Sequence, residues 1–245
     1  MEQVSAVERA LAWRARTALA AGPGDRTGPA AAPAPELMDA LRHHLLAGET
    51  HYPDRPGMVE LRRLVGAALP RAGYPERGPD GVLITASEGE SLLVVLLGLG
   101  VRKGDCFTGN GPGRHSRLFE WMGVAKADPD AAGRGPAVFD YADQAHDTAH
   151  GTHAQDRPDP SVSRIHAIGD WLFRPDGRRH VDDTLADVIV IGSLDELRAM
   201  RPFRLGFVAA PPRTLAGIAR WKQASSICSP APSQRAALWA LGIRP

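Results

Sequence analysis

Cysteine, lysine and net charge are what this chain has least of. Its 245 residues include two cysteines, Cys106 and Cys228, and three lysines, Lys103, Lys126 and Lys222. Two widely separated cysteines make no disulfide framework, so stability has to come from a buried core. Lys and Arg total 29 against 28 Asp and Glu, a net charge of +1. That balance argues against nucleic-acid binding, which needs a surplus of cations to displace counterions. No apolar run reaches the roughly 18 residues of a membrane span; the longest, over 92–99, has the length of a buried helix. No cationic-then-apolar leader opens the chain, so the expectation is a reduced, cytoplasmic protein.

What is present is ordinary globular material: 43% hydrophobic and 23% charged residues. Gly 26 and Pro 21 make about a fifth of the chain, short of the roughly 25–30% of low-complexity sequence. The length suits one or two domains and the burial of roughly 70–75% of the extended surface. Residues 4–21 have the periodicity of an amphipathic helix, and Gly and Pro make 22–35 a linker. Residues 1–35 are therefore set apart from a single domain over 36–245. Helices are expected over 36–47 and 57–72, the second stopped by Gly73.

Beyond Gly73 short apolar strands alternate with helices. Strands are expected at 82–85, 105–108, 137–140, 164–169, 187–191 and 203–209, with helices at 88–100, 114–123 and 213–223. This alternation predicts an α/β fold, a mostly parallel sheet sandwiched by helices. Ligands on such sheets sit at the carboxyl ends of the strands. Chemistry is therefore sought in the loops after Thr85, Asn110, Asp140, Gly169 and Ser193.

Read in order, those loops carry a pattern. Tyr52, Gly57, Leu61 and Arg62 form an entry motif, and Thr85-Ala86-Ser87-Glu88 closes a strand. Gly111-Pro112-Gly113-Arg114 makes a turn, and 145–151 reads AHDTAHG. Gly169-Asp170 ends a strand, and Ser193, Glu196 and Arg204 follow the next. This ordered set resembles the large domain of fold-type I, pyridoxal-phosphate-dependent aminotransferases, most closely the aminotransferase-like domain of MocR-type regulators. The resemblance covers 52–238. It implies cofactor contacts from Tyr52, Ser87, Asp170, Ser193 and Arg204, with Asp170 pairing the pyridinium nitrogen and Arg204 the phosphate.

The departures bear on the activity. A transaminase needs a lysine amine for its Schiff base, and the position that the resemblance assigns to it holds Glu196. Glu88 adds negative charge where a phosphate should bind, and like charges close together in a cleft repel. Arg114 replaces the ring-stacking aromatic, Thr148 an asparagine and Phe173 a tyrosine. The resemblance also leads one to expect a C-terminal small domain, for which about forty residues after Arg204 leave no room. Arg204, read as lying within a buried strand, is expected to need an anion: a phosphate, or Glu196, Glu88 or Asp170 in a structural pair.

Two readings follow. In the first, the chain is a repurposed enzyme of amino-acid-derived, specialised metabolism. It uses carboxylate acid–base chemistry from Glu196, Asp170 and Glu88 with His150, and pyridoxal phosphate is absent or held only noncovalently. In the second, it is a non-catalytic partner subunit of an intact enzyme of this kind. Either way a homodimer is expected, with Tyr52 completing the neighbour's cleft. His146, His150 and His153 have helical spacing, but Gly151 interrupts it and no metal is expected.

Overall fold

The computed structural model describes residues 33–109, 113–127, 139–143, 162–169, 172, 181–195 and 200–242. The helix expected over 4–21 lies outside them. The described residues form one seven-stranded sheet. Its strands are β1 (Val82–Thr85), β2 (Cys106–Gly109), β3 (Ala125–Lys126), β4 (Phe139–Asp143), β5 (Ser163–Ala167), β6 (Ile189–Ser193) and β7 (Gly206–Ala209). The spatial order is β1-β7-β6-β5-β4-β2-β3.

All strands run parallel except β7, which is antiparallel to both neighbours, with Thr85 and Ser193 each opposite Gly206. Its direction follows from its connection. The chain leaves β6 at Leu194 and returns beside it at Leu205, where the Leu194 N–H donates to Leu205 O over 2.9 Å. β7 therefore starts at the sheet edge where β6 finishes. A parallel strand would have needed a crossover to the far edge.

The apolar runs are buried on both faces, as parallel strands under helices must be. Ile84, Val190 and Phe207 enter one core with Leu61, Leu64 and Leu238. Their chain neighbours Leu83, Ile189 and Val208 enter the other, with Leu92, Val95 and Phe119. The first core is covered by α1 (Pro35–Leu46), α2 (Val59–Ala68) and α6 (Ala231–Ala240). The second is covered by α3 (Glu88–Gly98), α4 (Ser116–Met122) and α5 (Pro212–Ser226). No helix among the described residues is long and apolar enough to cross a membrane.

Several boundaries depart from expectation for identifiable reasons. The helix expected over 57–72 is α-helical only to Ala68 and continues as a 3-10 turn, Leu69–Ala72. Pro70 has no N–H to give the next α-helical bond. The strands expected at 137–140 and 187–191 lie two or three residues further on, because the hydrogen-bond ladder continues into polar residues at the carboxyl edge. No element is assigned beyond residue 223, where α6 lies. Pro230 is its N-cap and Pro232 stands in its first turn, where proline is tolerated because the N–H groups have no partner.

α6 docks on α1 through the apolar core, Leu37 and Leu41 sharing it with Ala237 and Leu241, and a part-exposed charge contact adds to it. Glu49, just past α1, has Oε2 3.1 Å from His44 Nδ1 and 2.6 Å from Arg235 Nε. Burial pushes the Glu49 carboxyl up, but the His44 and Arg235 contacts outweigh it and hold Glu49 below its ordinary value. A carboxyl lowered on folding adds stability above its unfolded value, and that stability is lost as pH falls through the folded value. Glu49 is more than a third exposed, so the contribution is under about 1 kcal/mol. Urea midpoints of the wild type should therefore fall on acidification below about pH 4.5 more steeply than those of Glu49→Gln. Parallel pH profiles would contradict this.

Candidate functional site

The carboxyl edge of β1 is built around the first turn of α3. Ser87 is its N-cap, with extended backbone (φ −173°, ψ 166°), and its Oγ accepts the Glu90 N–H over 3.1 Å. Glu90 reaches back, and its Oε2 accepts the Ala86 N–H over 2.5 Å. Reciprocal capping of this kind satisfies two donors that a helix start leaves unpaired. Below the turn, Ser91 Oγ lies 2.7 Å from Thr85 Oγ1 and 3.0 Å from Phe207 O. A Cβ at Gly206 would stand 2.4 Å from Ser87 C and 2.7 Å from Glu88 N. Only glycine lets β7 pass so close beneath the loop.

Glu88 opens α3 and is 6% exposed. Its Oε1 accepts from Arg114 Nη2, from Arg114 Nε at 3.1 Å, and lies 2.9 Å from His115 Nε2. Arg114 and His115 belong to the turn after β2, yet β1 and β2 have four strands between them. The cluster thus gathers the loops of distant strands over the middle of the carboxyl edge. It also corrects one expectation. Glu88 is not a bare negative charge in an anion's place; it is a carboxylate with its own cation. With neutral imidazole the three groups sum to zero, and with imidazolium to +1.

The other expected site residues are distributed as follows. Ser193 ends β6, and its Oγ accepts the Asp195 N–H over 3.0 Å. The Ser193 N–H donates to Gly169 O at 2.7 Å, so the ends of β5 and β6 are tied just before position 170. Ser87 and Ser193 therefore flank Gly206 at one edge. Tyr52 is 79% exposed and apart from the charge cluster's contacts, although Pro56 O accepts the Ile84 N–H over 2.8 Å and lays the following segment along β1.

Arg204 is a second correction. It does not lie in a buried strand. It precedes β7 with φ 50°, its side chain is 65% exposed, and its ion-pair partner is Asp195, at 3.8 Å. Solvent, not a buried anion, offsets most of its charge. Asp170, Glu196 and His150 lie outside the described residues, as do His146, His153, Thr148 and Phe173. Among the described residues no three His, Cys, Asp or Glu side chains form a metal-binding group.

Two participants were not singled out by sequence reasoning. His115 stood beside Arg114 without a motif of its own. Lys222, read as an ordinary position late on a helix, is 1% exposed; its Nζ donates to Ser226 Oγ over 2.6 Å and lies 3.3 Å from Glu90 Oε1. Ser226 Oγ in turn donates to Glu90 Oε1 over 2.7 Å. The i, i+4 spacing of Lys222 and Ser226 is local, but their meeting with Glu90, more than 130 residues away, is not written in any local pattern.

These residues do not fit a covalently held pyridoxal phosphate. The start of α3, where the resemblance puts the phosphate, already holds a carboxylate that engages Arg114 and His115. The position that the resemblance assigns to the imine-forming amine holds Glu196. Of the three lysines, Lys103 and Lys126 are exposed and Lys222 is committed to Glu90 and Ser226.

Comparison with solved structures places the fold. The chain superposes on the N-succinyldiaminopimelate aminotransferase of Mycobacterium tuberculosis with a TM-score of 0.67 and 21% identity, over 95% of this chain and 69% of that one. It superposes on YbdL of Escherichia coli, for which a methionine aminotransferase function is described, with a TM-score of 0.68 and 17% identity, over 95% and 69%. The aspartate aminotransferase of Rhizobium meliloti gives 0.69 and 15%, over 96% and 67%. No protein-family model matches the sequence, and no curated protein matches it. The chain has the α/β fold of the fold-type I aminotransferase large domain.

The burial of Lys222 has a direct consequence. Brief acetylation of the native protein should modify Lys103 and Lys126 and spare Lys222, as read by peptide mass spectrometry. Equal modification of all three before unfolding would contradict the buried ion pair.

Proposed function

We propose that this aminotransferase-fold chain is not a working transaminase. Its cleft serves a small, amino-acid-derived substrate of specialised metabolism, by acid–base chemistry that needs no Schiff base. The observation that carries the reading is the Glu88–Arg114–His115 cluster, which replaces an anion-binding helix start with a resident ion pair. Pyridoxal phosphate, if it enters at all, does so noncovalently.

Within this reading the chain's groups divide their work. Glu88 and Arg114 hold each other and fix the turn that carries His115. A carboxylate on one imidazole nitrogen sets the tautomer and orients the ring, leaving its other nitrogen to exchange a proton with a ligand. Glu196 and Asp170 follow the tied ends of β6 and β5 in sequence, and we assign them proton transfer at the strand ends, with His150, which lies between β4 and β5 in sequence. Ser87 and Ser193 keep the backbone of both loops in place through the N–H groups that they accept.

The protein acts in the cytoplasm as a homodimer in which Tyr52 reaches the neighbour's cleft. The large exposure of Tyr52 favours this arrangement. The same exposed aromatic supports a second reading, a non-catalytic partner subunit seated against an intact aminotransferase.

The experiment begins with pyridoxal phosphate, borohydride reduction and digestion. The expected result is no stoichiometric pyridoxyl group on Lys103, Lys126 or Lys222. Glu196→Lys alone should not transaminate common amino acids, because Glu88 and Arg114 still occupy the cup. Interactions of about 1–3 kcal/mol each are missing from such a site, and several together cost many decades of rate. A Glu196→Lys variant that transaminates with added pyridoxal phosphate would overturn the proposal.

A further inference from the structure

The three donors that meet Glu88 converge on a single oxygen. Arg114 Nε and Nη2 and His115 Nε2 all address Oε1, from a turn that reaches across the carboxyl edge of the sheet. Beneath them lies the start of an eleven-residue helix, where unpaired N–H groups and the helix dipole favour negative charge. The Glu90 N–H is taken by Ser87 Oγ, and the Ser91 N–H by Ser87 O. Guanidinium, imidazole and helix start together are the donor set that recruits a tetrahedral oxyanion. In this chain the anion is tethered.

We infer that the cluster is an oxyanion site occupied by the protein's own carboxylate, so that the cleft takes ligands without a phosphate group. A tethered carboxylate pays no entropy of association, whereas a free anion does. A phosphate arriving in solution must also displace a part-buried, charge-assisted pair and leave the buried Glu88 without its guanidinium. Glu88 is 6% exposed and Arg114 about a third, so the resident anion is shielded better than its cation. The assignment stands on this geometry whether the chain is an enzyme or a partner subunit, and it narrows the proposed substrate to an unphosphorylated one.

The test is anion rescue of the full-length chain, with inorganic phosphate as probe and chloride at matched ionic strength as control. Thermal melts and calorimetric titrations compare the wild type with Glu88→Ala, Glu88→Gln and the double variant Glu88→Ala/Arg114→Met. The wild type should gain no stability from millimolar phosphate beyond the chloride control. Glu88→Ala should melt lower and regain stability saturably with phosphate, binding it at least about tenfold more tightly than the wild type, about 1.4 kcal/mol. The double variant should lose that gain, which ties it to the guanidinium. Glu88→Gln, which preserves shape and serves if the alanine variant does not fold, should also bind phosphate more tightly than the wild type. Wild-type binding as tight as that of the variants would overturn the inference, as would the absence of any gain in the folded variants. Turnover plays no part in this readout, so its failure is separable from failure of the proposed function.

Discussion

The first turn of α3 is the constraint on which the rest of the carboxyl edge depends. Two acidic side chains two residues apart leave it in different directions and bind different elements. Glu88 takes Arg114 and His115 from the turn after β2. Glu90 takes the Ala86 N–H, Ser226 Oγ and the buried Lys222 at the end of α5. Between them the turn rests on Gly206, where a side chain would collide with its backbone. A charge that is 7% exposed keeps its partner or costs several kcal/mol. Loops that are far apart along the sheet are therefore held in one relation. Apolar packing alone, being non-directional, would not fix that relation.

The same edge shows what the aminotransferase fold asks of this sequence. The sheet needs its alternating apolar runs, its reversed β7 and the glycine under the α3 loop. None of these requires a lysine at position 196 or an aromatic residue at position 114. Glu88 and Arg114 are intelligible as a pair. Glu88 without Arg114 would be a buried carboxylate without its guanidinium, and Arg114 without Glu88 would have lost a charged acceptor. A fold does not by itself fix the chemistry that it carries.

Much of the scaffold was legible in the sequence because it rests on periodicity. The continuous apolar runs at Val82–Thr85 and around Ile189 announced strands buried on both faces, and Gly73 marked the end of its helical segment. Strand direction was less legible: β7 has the composition of a parallel strand and is reversed only because its loop returns to the starting edge. The site was half legible. Glu88 and Arg114 stood out as departures, but sequence order places them 26 residues apart and says nothing of their ion pair. Lys222 and Glu90, and Arg204 with its turn outside the strand, depended on tertiary placement that no local pattern encodes.

The central claim is that Glu88 and Arg114 form one interacting unit at the start of α3. A double-mutant cycle on chemical stability tests it most directly, with Glu88→Gln, Arg114→Met and the pair. The account predicts a favourable coupling of about 1–3 kcal/mol, of the size found for groups in one buried network. Additive single effects, within about 0.5 kcal/mol, would show that the two side chains do not act together and would contradict it.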